Sequence, residues 1–232
     1  MKYIHLTFFL FTTIFSIGQN FEGTLIYNNS IELSEKFIEK TGMTVDKMKQ
    51  SNSFYEQMKI TYKDSNYLIE PTVGKIKIIY NPERNEILTI DKKLDLVSAI
   101  LTDVDLESKK NGDLPKIEIQ DTDEIILSKK CKKVVVTWKM GTYEYYYNSE
   151  FLKMDSTLYS NHVYDMWSEF LKTSNSLPLK IVKKTNGLMT FTMILVEVKE
   201  YSVNDKKFKL PRLKPHDELV ITKGNQRYYT QQ

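Results

Sequence analysis

The chain has 232 residues, a formal charge of +3 at pH 7 and 41% hydrophobic residues. Its lysines and arginines are interspersed with acidic residues and form no basic face, which argues against a nucleic-acid-binding protein. Its one cysteine excludes an internal disulfide, so a packed core has to supply the stability.

Residues 1–18 have the features of a cleavable signal peptide. Lys2 precedes an uncharged apolar stretch, and Ser16 and Gly18 are small residues at positions −3 and −1 of a cleavage site. The stretch is shorter than the roughly 20 residues of a membrane-spanning helix. We therefore expect export to the periplasm or secretion. Retention of the segment as an anchor is the alternative.

Alternating apolar and polar residues predict β-strands through most of residues 19–211, which we take as one domain. Met58, Ile60 and Tyr62 share one side of such a strand, and residues 24–31 and 75–80 repeat the pattern. The strands follow one another without regular helices between them. This order predicts a mostly antiparallel sheet.

Two segments have helical spacing instead. Residues 34–49 carry an apolar stripe that Gly42 divides into two short helices. Residues 160–173 carry a stronger stripe, with Ser160 or Asn161 as the N-cap. The stripe consists of Val163, Met166, Trp167, Phe170 and Leu171.

Residues 103–124 are polar and are predicted to form a loop with one short edge strand over 114–119. Five acidic residues in this segment open the alternative of a hydrolase: Asp103, Asp105, Asp121, Asp123 and Glu124. The glycine and terminal glutamate of a calcium loop do not follow them. We favour solvated loop charges and assign no catalytic residue.

Residues 134–147 predict a β-hairpin that turns near Gly141. Cys131 precedes it between two lysine pairs, so it is either a reactive thiol or a small apolar residue on a strand. Period-two alternation places Lys130 and Lys132 on the opposite face, which favours the apolar role. His162 and Asp165 have a spacing that suits a metal, but the two histidines outside the expected signal peptide, without a cysteine partner, make a poor zinc site. We expect no metal and no cofactor.

Residues 189–198 predict one long bulged strand. Met189, Phe191 and Met193 have one parity, whereas Ile194 and later apolar residues have the other. One extra residue near Met193 would bring both sets to the same face. Because bulges bend strands, the sheet is expected to be curved. Residues 212–232 are predicted to be a polar, frayed tail.

Three segments resemble exported bacterial proteins of unknown function that have a fold like the LolA/LolB lipoprotein carriers. They are "DTDEIILSKKCKKVVV", "SLPLKI" and "GLMTFTMILVEVKEYSVNDKKFKLP", and the resemblance extends over residues 21–211. "NSLP" lacks the glycine that begins the family's "GLP". The resemblance implies a mainly β (α+β) fold, in which a curved antiparallel sheet forms an unclosed half-barrel with helices on its concave side. It carries over no catalytic residues.

These observations predict a non-enzymatic exported binding protein that holds a lipid or another apolar small molecule in the concave face. Methionine and aromatic side chains form adaptable apolar surfaces. The expected lining is Met166, Trp167, Phe170, Met189, Phe191 and Met193. The alternative is a structural or protein-interaction module of the cell envelope, with an envelope protein as partner and a filled core.

Overall fold

A computed structural model describes residues 20–51, 54–91, 93–105, 115–216 and 224–232. The expected signal peptide lies outside these residues. Within them, no helix combines the length and apolar character needed to cross a membrane.

Thirteen strands of the described residues form one antiparallel sheet, which confirms the predicted fold class. In chain order they are β1 (Gly23–Leu33), β2 (Gln57–Lys63), β3 (Asn66–Pro71), β4 (Ile76–Asn81), β5 (Glu86–Asp91), β6 (Leu96–Leu101), β7 (Lys116–Ile126), β8 (Lys129–Trp138), β9 (Gly141–Tyr147), β10 (Lys180–Thr185), β11 (Met189–Glu200), β12 (Leu213–Pro215) and β13 (Gln226–Gln231). The spatial order is β12-β13-β6-β5-β4-β3-β2-β1-β11-β10-β9-β8-β7, so β12 and β7 are the edges of an unclosed half-barrel.

A bulge bends β11 in the middle of the sheet, as its sequence predicts. Tyr27 pairs with Leu195 and Ile26 with Glu197, so Val196 is the extra residue. Ile194 and Val196 are exposed on the outer face, whereas Val198 returns to the inner face and packs on the core. The bulge therefore lies three residues beyond the predicted position.

The sheet has a core on each face. The larger core lies on the concave face and includes Leu25, Tyr27 and Tyr145. The smaller core covers the other face of β3 to β6, where Leu68, Ile79, Leu88 and Val97 pack with Val203, Phe208 and Tyr229. Alternation explains this division, because neighbouring residues such as Tyr67 and Leu68 point to opposite faces.

Residues 212–232 were expected to be a tail outside the domain, but they contribute two strands. β13 pairs with β6, and β12 pairs with β13. Tyr229 is buried, and its hydroxyl lies 2.5 Å from Glu86 Oε1. Polar residues dominate β13, so apolar alternation gave no signal for a strand there.

The helices match their predictions in part. Residues 34–49 form α1 (Glu35–Thr41) and α2 (Val45–Gln50), which part at Gly42 as expected, and neither helix has a buried residue. Residues 160–173 do not form one helix. A 3₁₀ turn (Tyr164–Met166) precedes α3 (Trp167–Ser174), and neither Ser160 nor Asn161 is the N-cap.

The predicted hairpin is confirmed as β8 and β9. Gly141 begins β9, and a Cβ there would lie 1.8 Å from the carbonyl oxygen of Lys184 on β10, so only glycine fits. The predicted edge strand is confirmed as β7, although it extends to Ile126. Leu114 lies outside the described residues.

Candidate functional site

The connection between β9 and β10, residues 148–179, lies over the concave face and is called the cover segment here. It leaves and rejoins the sheet through a narrow neck, where Lys153 and Ser176 form a β-bridge. Beside them, the Leu177 N–H donates to the Leu152 carbonyl at 2.9 Å. Leu152 and Asn175 both have positive φ, so the backbone turns sharply at each side of the neck.

α3 and the 3₁₀ turn before it bring three of the six predicted lining residues against the sheet. The ring of Phe170 stacks on Tyr145 of β9 with centroids 4.7 Å apart, and Phe170 is fully buried. Trp167 contacts the same tyrosine edge to face at 6.4 Å. Met166 is buried in the same core. The prediction that α3 and the sheet share one apolar interior thus agrees with the structure.

The other three predicted lining residues lie along β11 and differ in exposure. Met193 is buried in the concave core, and Phe191 is half-buried against it. The ring of Phe191 also packs on that of Phe54, with centroids 6.4 Å apart. Met189 is 38% exposed near the end of the strand. The structure therefore groups five of the six residues and leaves Met189 at the rim.

Polar contacts tether the middle of the cover segment to the strands. The Tyr145 hydroxyl donates to the Asp165 carbonyl at 2.6 Å, and the Asp165 carboxylate forms an ion pair with Lys183 of β10. The N–H groups of Val163 and Tyr164 donate to the Thr102 carbonyl at 2.8 and 3.1 Å. These contacts attach the cover segment to β9, to β10 and to the residue that follows β6.

Asp165 and Met166 explain why the predicted helix is interrupted. Both have left-handed backbone conformations, with φ of 56° and 55°. Residues with a Cβ adopt this region at a cost, so the tertiary contacts of Asp165 have to compensate for it. Apolar spacing alone carries no sign of such a break.

His162 is buried among aromatic rings beneath the cover segment. Its Nε2 lies 2.9 Å from the Tyr67 hydroxyl, and its ring centroid is 4.6 Å from that of Tyr80. Nδ1 has no hydrogen-bond partner in the described part of the chain. Burial lowers the pKa of His162 to about 4, although the nearby Asp165 carboxylate opposes this shift. The imidazole is therefore neutral at pH 7.

Cys131 is buried in the concave core, which confirms the prediction of a small apolar residue on a strand. Burial raises the pKa of its thiol. A protonated and inaccessible sulfur is a poor nucleophile.

The acidic residues of β7 do not converge on a site. The side chains of Asp121 and Asp123 are fully solvated, and Glu124 pairs with Lys180 at 3.0 Å.

A cleft of about 650 Å³ that the sequence did not predict lies beside the middle of β1, where β2 begins, and is called the rim cleft here. Asn28, Asn29 and Gln57 contribute amide groups to it, and Phe54 and Val73 contribute apolar surface. Asn29 pairs with Met193 across β1 and β11, so the cleft adjoins the concave face. The sequence signal for this cleft was Asn29, a polar residue with the same parity as the inward-facing Leu25 and Tyr27.

No protein-family model matches the chain, and no curated protein matches it. A solved structure titled "Structure of PNGF-II in C2 space group" is similar over 80% of this chain and 29% of that chain, with 17% sequence identity and a TM-score of 0.31. The chain thus spans less than a third of that protein's length. A similarity of this size establishes neither a shared fold nor a shared function.

Proposed function

We propose that this chain is an exported, non-enzymatic binding protein that takes an apolar ligand, such as a lipid acyl chain, between the concave face and the cover segment. The observation that carries the proposal is the convergence of Trp167 and Phe170 from α3 with Met193 from β11 in one apolar interior. Export rests on the signal-peptide pattern of residues 1–18.

Ligand entry requires the cover segment to move, because its own side chains fill the concavity. Phe170 and Leu171 are fully buried, so the structure corresponds to a closed form. The narrow neck at Lys153 and Ser176 supports movement of the segment as a unit. Opening breaks contacts of the cover segment and costs free energy. Burial of an acyl chain offsets this cost by about 25 cal/mol for each Å² of apolar surface.

Two buried polar groups on α3 also support a ligand. Trp167 Nε1 and Ser168 Oγ have no hydrogen-bond partner within the described residues. Protein interiors rarely leave such groups unpaired. The carbonyl of an ester or amide-linked acyl chain would accept a hydrogen bond from either.

Native mass spectrometry tests the proposal. The delipidated chain is incubated with a long-chain fatty acid or a diacylated lipopeptide, and with glycerol 3-phosphate as a control that lacks the chain. We expect a one-to-one adduct with the acylated compounds alone. A spectrum that shows only the free protein would contradict the proposal.

The second candidate is a protein-interaction module of the cell envelope with a filled core. The observation that favours it is the complete burial of Leu177 and Leu179, along with Phe170, by side chains of the concave core. Under this alternative, acylated compounds form no adduct, and an envelope protein binds the outer surface instead.

A further inference from the structure

The rim cleft has the size of a small-molecule site and is lined mostly by neutral polar groups. Its volume of about 650 Å³ lies within the range of roughly 300 to 1,000 Å³ that is typical of ligand pockets. Amide groups come from Asn28, Asn29 and Gln57, and hydroxyl groups come from Tyr55 and Thr72. This lining differs from the apolar interior under the cover segment.

Asn29 provides a second, independent indication of a ligand. It is 8% exposed, and its Nδ2 donates to the Tyr55 carbonyl at 2.8 Å. Its Oδ1 is buried and has no hydrogen-bond donor among the residues that the structure describes. Because buried acceptors are nearly always paired, this oxygen calls for a donor from a molecule in the cleft.

The charges at the rim cleft cancel. Lys49 Nζ lies 2.5 Å from Glu56 Oε1, and both residues line the cleft. Lys49 is paired with a carboxylate and therefore attracts a second anion only weakly. Glu56 is paired with a cation and attracts a second cation only weakly. The lining therefore favours an uncharged ligand.

Apolar surface lies beside these polar groups. Phe54 is buried and held edge to face by Phe191, with ring centroids 6.4 Å apart. Val73 is 82% exposed at the opening. The Gln57 amide already donates to Asn28 Oδ1 at 3.0 Å, but a wholly apolar ligand would leave Asn29 Oδ1 without a donor. The matching ligand has an apolar face and hydroxyl groups that both donate and accept.

We propose that the rim cleft binds a neutral carbohydrate, with a sugar hydroxyl donating to Asn29 Oδ1 and the C–H face of a sugar ring lying on Val73 at the opening. This inference goes beyond the proposed function and does not depend on it. The two sites adjoin, but one is polar and open, whereas the other is apolar and closed.

Isothermal titration calorimetry of the full chain with neutral hexasaccharides of glucose, mannose, xylose and N-acetylglucosamine tests this proposal. We expect saturable binding of at least one of them. Asn29→Leu removes the acceptor and Val73→Asp removes the apolar opening, and each should weaken binding by about tenfold or more. Gln120→Leu, at an exposed position on the distant edge strand β7, should leave the affinity unchanged.

Two results would overturn the proposal: none of the four hexasaccharides binds, or binding persists unweakened in both cleft variants. Val73 is exposed, so Val73→Asp decides the outcome if Asn29→Leu fails to fold. Fatty acid binding should be unaffected by Val73→Asp, which separates this proposal from that of the apolar site.

Discussion

Phe170 stacks on Tyr145 with ring centroids 4.7 Å apart and planes inclined by 25°, and this contact joins the cover segment to the concave face. The hydroxyl of the same tyrosine donates to the Asp165 carbonyl at 2.6 Å. Tyr145 thus anchors the segment at an apolar and a polar point. These contacts stabilise the closed form and set the cost of opening.

Replacement of Phe170 by alanine should destabilise the chain by about 3 to 5 kcal/mol, because it removes a fully buried ring from the core. Urea unfolding followed by circular dichroism measures the change. Phe37→Ala on α1, which has no buried residue, is the matched control and should cost less than about 1 kcal/mol. Equal losses in both variants would show that α3 does not anchor the cover segment.

His162 should make the stability depend on pH between about 4 and 6.5. Its pKa is about 4 in the folded chain, against an ordinary value of 6.5. The unfolded chain therefore binds more protons in this window, so stability falls as the pH is lowered, and the contribution of His162 is lost in full below pH 4. The loss is about 3 kcal/mol at 1.36 kcal/mol for each pKa unit.

Unfolding titrations of the wild-type chain and of His162→Gln between pH 4 and 7 isolate this contribution. The variant should lose the His162 part of the pH dependence, whereas His216→Gln, the matched control, should retain it. Identical pH profiles for the wild type and His162→Gln would disprove the assignment.

Cys131 should react slowly with a maleimide in the folded chain and rapidly in urea, because its thiol is buried and burial raises its pKa. Lys130→Cys in a Cys131→Ala background places an exposed thiol one residue away and should react rapidly without urea. Rapid labelling of native Cys131 would restore the hypothesis of a reactive thiol.

Truncation after residue 211 should destabilise the chain strongly. It removes Arg227 and Tyr229, which contact the buried carboxylate of Glu86 at 3.3 and 2.5 Å. Arg84 remains 2.7 Å from the other oxygen of this carboxylate, so the loss of the two partners should cost up to roughly 3 to 5 kcal/mol. Thermal unfolding measures the loss. Glu86→Leu should raise the melting temperature of the truncated chain but should not raise that of the full chain. An unchanged melting temperature after truncation would show that residues 212–232 are a dispensable tail.

Strands with one buried face, such as β2 and β11, could be predicted because alternation records which of their residues point inward. The β11 bulge followed from the same rule, since Phe191 and Val198 have opposite parity but face one core. Its position at Val196 could not be predicted, because cross-strand pairing with Ile26 and Tyr27 sets it.

The features that the sequence did not predict depend on contacts distant in the chain. β13 is polar and is a strand because Tyr229 fills the second core and meets Glu86. The helix break at Asp165 depends on Tyr145 and Lys183. The rim cleft brings together residues of β1, α2 and the segment before β2, whose proximity only the sheet register creates.

Quenching of tryptophan fluorescence by a fatty acid brominated in mid-chain tests the central proposal most directly. The chain has two tryptophans, so Trp138→Phe leaves Trp167 of the cover segment as the reporter, and Trp167→Phe leaves Trp138 of β8 as the matched control. We predict saturable quenching of Trp167 that exceeds the quenching of Trp138. Absence of quenching, or equal quenching of both tryptophans, would contradict binding of an acyl chain beneath the cover segment.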